Sequence, residues 1–385
     1  MSHRPGAHSP APPPHHRRSL ALRAGLTLTV LAGLAAGAPA AGAADVVNVY
    51  NWNDYITDAA LEGFTEATGI EVVYDVYDSN EVMEAKLLTG NAGYDVVFPT
   101  ARPFGTRQVA AGVHRRLDRS RLPHHDNLAP DILATLTDID PGNAHLVPYM
   151  WGTTGIGYVE EAVRARLGDE VPLDSWDLIF DPAIAAKLED CGIAVLDAPE
   201  ESLPPALIWA GRNGDAVDPD DLETAVDVYL GVRPYIRYFD SAQYISDLAS
   251  GDICIAMGYS GDVLQAADRA REAGNGVTVK YVIPREGAFT WVDTMAIPKD
   301  APHPLAAHAF IDWLLRAEVI AGISNEVAFA NANGAATPLL DPAISGNPGI
   351  YPSPETRAKL QVSRNLSQRE LRARTRAWSR IRRGR

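Results

Sequence analysis

The chain has 385 residues, 46% of them hydrophobic and 22% charged, which is ordinary globular composition with length enough for two domains. Its formal net charge of −15 works against nucleic-acid binding and suits a cationic ligand or basic surroundings.

Residues 1–44 read as an export leader. A basic start at Arg17-Arg18 precedes an apolar stretch, Leu26 to Ala36, too short to span a bilayer. Small residues at Ala41-Gly42-Ala43-Ala44 place cleavage after Ala43 or Ala44. The arginine pair fits twin-arginine export as well as general secretion. No cysteine stands at the cleavage point, so no lipid anchor is expected. The leader holds Arg4, Arg17, Arg18 and Arg23 and no acid, which leaves 30 basic against 49 acidic side chains, or −19.

Strand and helix patterns then alternate. Val46–Asn51 reads as a strand, Asp58–Thr68 as a helix closed by Gly69, and Ile70–Tyr74 as a strand. Asp78-Ser79-Asn80-Glu81 opens a helix that Gly90 ends, and Tyr94–Phe98 is a third strand. This βαβαβ order implies a parallel sheet. The Gly-rich, aromatic run Pro148–Ile156 reads as a crossover between two lobes. A second α/β unit follows, with strands at Ile193–Leu196 and Ile253–Met257 and a helix at Leu222–Leu230. Strands Val279–Ile283 and Ala288–Ile297 return the chain to the first lobe, and Pro304–Leu315 is an amphipathic helix. Arg372–Arg385 reads as a solvated, basic helix end. The expected lobes are 46–150 with about 289–333, and about 151–288 with 334–385.

Enzyme motifs are negative. Gly258-Tyr259-Ser260-Gly261 lacks the final spacing of a nucleophile elbow. Gly152–Gly157 is neither a phosphate-binding loop nor a dinucleotide fingerprint. His124-His125 fits an exposed loop better than a metal site, and no metal or cofactor is implied. Cys191 and Cys254 leave two readings open, a disulfide, as an even count in an exported chain suggests, or two buried thiols.

What recurs is an acid near an aromatic at a strand end: Trp52, Asp54 and Tyr55; Glu200 and Glu201 after Val195-Leu196; Tyr259 and Asp262; Trp291 and Asp293. Several carboxylates among several aromatic walls suit a chain of amines separated by methylenes. The same residues also describe a glycoside hydrolase or a binder of a neutral sugar or peptide. Against the hydrolase, acids on two lobes that move relative to each other hold carboxylate spacing poorly.

Longer blocks carry a resemblance: Tyr50-Asn51-Trp52-x-Asp54-Tyr55-Ile56, Tyr77-Asp78-Ser79-Asn80-Glu81, Tyr94-Asp95-Val96-Val97, Pro148–Gly155, Leu196-Asp197-Ala198-Pro199-Glu200, Gly251-Asp252-Ile253-Cys254 and Ala330-Asn331-Ala332-Asn333. Together they resemble the periplasmic polyamine-binding proteins of ABC transporters, the putrescine-binding member above the spermidine-binding one. The resemblance implies a two-lobed α/β periplasmic-binding fold (type II), each lobe a mainly parallel sheet flanked by helices. It also implies a monomer that closes on a polyamine and docks with a membrane permease. Carried over, Trp52, Asn53, Asp54 and Tyr55 would line the first-lobe wall, and Thr100 occupies a position usually held by Ser. Glu201 would meet one amine with Asp262 nearby, and Asp293 would grip the other with Trp291 as its neighbour. Cys191 and Cys254 fall where putrescine-binding relatives carry a disulfide. Tyr259 stands where relatives have Trp, and Phe329 where the putrescine binder has Tyr. Trp291 resembles spermidine-preferring members. Arg102 sits in a rim segment that differs from the family, where a cation facing the ligand would repel it.

Overall fold

The computed structural model describes residues 45–384. The leader and its cleavage point lie outside them.

Eleven strands form one mixed sheet: β1 (Val46–Trp52), β2 (Glu71–Tyr77), β3 (Val96–Val97), β4 (Leu146–Val159), β5 (Ile193–Val195), β6 (Ile236–Phe239), β7 (Ile255–Tyr259), β8 (Val279–Val282), β9 (Ala288–Ala296), β10 (Ala330–Asn331) and β11 (Leu360–Gln361). The main path runs β2-β1-β3-β9-β4-β7-β5-β6. Its two ends are parallel, β2/β1/β3 on one side and β7/β5/β6 on the other. The middle is antiparallel, because β4 and β9 cross the molecule in opposite directions and pair with each other and with their neighbours.

Two hydrophobic cores flank this middle. The first holds Val47 and Val49 of β1, Val147 to Met150 of β4, and Phe310 and Ile311 of the helix Pro304–Leu314. The second holds Ile156 of β4, β5, β7 and the helices around them. β4 therefore leaves one core and enters the other. Ala336 and Leu340 pack in the first core, beyond the boundary expected at residue 334.

Local signals account for the early elements. The helix Asp58–Thr68 starts where the Thr57 hydroxyl accepts from the Ala60 amide at 3.1 Å and stops at left-handed Gly69. The Ser79 side chain caps the helix Asn80–Leu88. β3 is only two residues long; just before it the Asp95 amide donates to the Asn48 carbonyl at 2.7 Å, while the Asn48 amide donates to the Asp95 carboxylate at 2.8 Å. A disulfide joins Cys191 to Cys254, which excludes the two-thiol reading.

Two expectations are corrected. The basic C-terminus is not a solvated end. It forms a helix, Gln368–Arg383, that inserts Trp378 and Ile381 into the second core and buries Arg374 completely. Acidic partners await that guanidinium, so burial leaves it paired. His125 is not exposed either. It is buried beside Arg119, while half-exposed His124 binds Asp312 at 2.8 Å. Among the described residues no helix is long and apolar enough to cross a membrane.

Candidate ligand-binding cleft

A cleft of about 540 Å³, counting its open mouth, lies where the two cores face each other. From the first side come Trp52 and Asn53 at the end of β1, then Tyr55. The Trp52 indole donates to the Phe98 carbonyl at 2.9 Å, which fixes the ring against Tyr77 at 4.7 Å. Tyr77 donates to the same carbonyl at 2.6 Å. From β9 come Trp291 and Asp293, and from the segment before β10 comes Phe329. The second side supplies Glu201, Tyr259 and Asp262.

The aromatic wall is continuous. Ring centres are 5.7 Å apart for Tyr259 and Trp291, 5.7 Å for Trp291 and Phe329, and 4.9 Å for Phe329 and Tyr55. Two glycines make room for it. A β-carbon at Gly152 would meet the Trp291 ring at 2.8 Å, and one at Gly261 would meet the Phe329 ring at 2.4 Å.

Three carboxylates in this cleft are each held by a neutral hydroxyl. Thr100 donates to Asp293 at 2.6 Å and itself accepts from Asn80 at 2.8 Å. Thr154 donates to Glu201 at 2.7 Å, and Tyr244 to Asp262 at 2.6 Å. Burial disfavours their charged forms and pushes all three up to about 7, with the hydroxyl bonds opposing the shift. For Asp293 the nearby Glu201 adds to the rise, and for Glu201 its neighbour Glu200 does. Glu201 retains some exposed area because it also borders a second groove, yet its position is deep enough for desolvation to dominate.

Asp54 stands apart. Its backbone is left-handed, with φ of 52°, a conformation that Asp tolerates better than most residues. The turn takes its side chain out of the cleft lining, where it meets Arg269 at 2.9 Å and accepts from Asn53 at 2.7 Å. Gln265, on the same helix as Arg269, donates to the carbonyls of Asp54 and Val327. Helix Ser260–Ala273 packs in the second core, so these contacts tie the two sides at the mouth. Glu200 also turns away, to Arg374. Arg102 pairs with Asp138 and borders the second groove, so its charge does not face the cleft.

Tyr77, Asp78 and Asn80 line the cleft although they are absent from the expected site residues, Asp78 and Asn80 reading as part of a helix start. Their presence in the block Tyr77–Glu81 was the available signal. Ser241, Ala242 and Ile245 also line it, and nothing in their short, unremarkable segment marked them.

A mixed sheet whose two long central strands link two cores, with an acidic cleft between them, defines a two-lobed solute-binding protein. The sequence matches the bacterial extracellular solute-binding proteins over residues 59–350, and the chain belongs to that family. It is 52% identical to the putrescine-binding periplasmic protein SpuD of Pseudomonas aeruginosa, over 93% of this chain and 97% of that protein. Identity is 47% to the putrescine-binding periplasmic protein PotF of Escherichia coli, covering 92% and 98%. A solved substrate-binding protein of a spermidine/putrescine ABC transporter, PotD of Streptococcus pneumoniae, superposes with a TM-score of 0.70 at 28% identity, covering 88% and 99%.

Proposed function

We propose that this protein captures a linear polyamine, putrescine or spermidine, between its lobes and delivers it to the permease of an ABC importer. The observation that carries the reading is the convergence of Asp293, Glu201 and Asp262 from both sides onto one aromatic-walled cleft. Among the described residues each carboxylate has a hydroxyl partner and no cationic one within bonding distance, so an ammonium is the charge that fits beside it. Trp52, Tyr259, Trp291 and Phe329 cover the intervening methylenes, and each cation–π contact contributes roughly 0.5–2 kcal/mol. Tyr55 and Thr100 hold these groups in place and Asn53 lines the cleft, while Asp54 acts at the mouth and not on the amine.

We assign the lobes to the two cores, with the first extended through Leu340 on account of Ala336 and Leu340. The protein acts as a monomeric carrier in the periplasm once the leader is removed, and it turns nothing over. The names of its relatives support transport, and three acids already oriented by hydroxyls support binding.

Calorimetry with putrescine, spermidine, cadaverine and agmatine tests the reading. Saturable heat with at least one amine is expected. Absence of both heat and thermal shift with all four overturns it. Turnover of a chromogenic glycoside panel would instead favour the hydrolase.

A further inference from the structure

The C-terminal helix brings Arg374 to the back of the helix Pro199–Trp209. The guanidinium is wholly buried. One nitrogen donates to Glu200 at 2.7 Å, and another to Asp215 at 3.2 Å and to the Gly214 carbonyl at 3.4 Å. Buried ion clusters are weak contributors to stability, because desolvation offsets most of the attraction. A cluster of this kind therefore invites a role beyond holding the helix down.

Its position suggests one. Glu200 and Glu201 are consecutive residues in the first turn of one helix. Successive helical side chains point about 100° apart. Glu201 faces the cleft and accepts from Thr154, while Glu200 faces Arg374. Were Glu200 free, a second carboxylate would compete for the cleft, and its charge would oppose ionisation of Glu201.

We propose that Arg374 is a positioning residue for ligand capture: it holds Glu200 turned away from the cleft, so that Glu201 alone presents its carboxylate to the ammonium. The proposal rests on the reading that the cleft binds a polyamine. The charged groups around this pair come from several elements. Glu81, on helix Asn80–Leu88, has its proton affinity raised first by burial and then by repulsion from Glu200 and, more weakly, Glu201. Arg107 lowers Glu200 from the same side, Asp215 raises it, and Arg364 pairs with Asp215. Asp293 lies across the cleft from Glu201. Arg374 lowers Glu201 as well as Glu200.

The test is the pH profile of putrescine affinity between pH 5.5 and 8.5 for the full mature chain. Arg374→Met should weaken binding at pH 7 about tenfold and move the midpoint of the profile to higher pH. Adding Glu200→Gln to it should restore both. Glu200→Gln alone should move the midpoint to lower pH, because it removes a charge beside Glu201. Arg374→Gln, which keeps a donor for Glu200 but no charge, should raise the midpoint as Arg374→Met does, and it decides the matter if Arg374→Met does not fold. A merely structural arginine would leave the midpoint of folded Arg374→Met where the wild type has it, and that outcome overturns the proposal. Failure of the double variant to recover also overturns it. A wild-type protein that binds no polyamine overturns the reading beneath and the proposal with it.

Discussion

Acids at the bottom of the cleft and acids at its margins are the same chemical groups treated in opposite ways. Asp293, Glu201 and Asp262 are held by the hydroxyls of Thr100, Thr154 and Tyr244. Asp54 and Glu200 are held by the guanidinium groups of Arg269 and Arg374. A hydroxyl orients a carboxylate and leaves its charge available. A guanidinium orients it and neutralises it. The division separates acids that await a cation from acids that already have one.

The largest effect should come from breaking that division at its deepest point. Asp293→Asn removes charge where solvent cannot replace it, and removing one partner of a buried pair costs about 3–5 kcal/mol. Putrescine affinity by calorimetry should fall at least roughly 100-fold. Asp54→Asn, which keeps a residue tolerant of the left-handed backbone, should lose only a few-fold. Similar losses for both would erase the contrast between floor and margin.

Proton linkage gives the next effect. Asp293, Glu201 and Asp262 sit at about 7 in the folded protein, above the usual carboxylate range. The folded state thus binds protons more tightly than the unfolded chain. These groups' stabilisation is present below about pH 4 and is lost as pH rises toward 7. An ammonium ligand favours the ionised forms, so affinity should rise with pH, by roughly tenfold per unit for each acid that must lose a proton. Thermal shifts with and without putrescine at pH 5.5 and 8 check this. The ligand-induced rise in Tm should be larger at pH 8, and a larger rise at pH 5.5 would assign the wrong protonation state to the floor.

Part of the floor was legible in the sequence because strand ends carry short-range signals, as where Trp52 and Tyr55 follow an apolar run. Trp291 and Asp293, expected at a strand end, lie instead in the middle of β9. Helix limits at Thr57, Gly69 and Ser79 follow from capping chemistry within a few residues. The margins were illegible for physical reasons. One left-handed residue redirects Asp54, and no pattern of residue types encodes that turn. Arg374 looked solvated because it lies in an arginine-rich run, while its partners Glu200 and Asp215 are 174 and 159 residues away in sequence. The fold brings them together after every local cue is exhausted.

The aromatic wall tests the floor without touching charge. Gly261→Ala would drive a β-carbon toward the Phe329 ring at 2.4 Å, and overpacking of this kind typically costs about 1–3 kcal/mol. Affinity should fall roughly tenfold while the pH dependence stays as in the wild type. A changed pH midpoint would mean that ring packing and carboxylate ionisation are not separable.

The smallest expected effect is at the mouth. Arg269 and Asp54 remain 42% and 31% exposed, so water and salt screen their attraction. Exposed pairs of this kind contribute about 0.2–1 kcal/mol. Because Arg269 rides on a helix of the second core and Asp54 on a turn of the first, losing the pair should speed ligand release more than it slows capture. A double-mutant cycle of Asp54→Asn and Arg269→Ala isolates the pair energy, since the double variant should be weakened by less than the two singles together. Stopped-flow release rates should rise up to about fivefold in 0.05 M salt, and the difference from wild type should shrink in 1 M salt. A loss as large as that of Asp293→Asn, or one indifferent to salt, would place Asp54 among the acids of the floor and dissolve the distinction between charge reserved for the ligand and charge already matched.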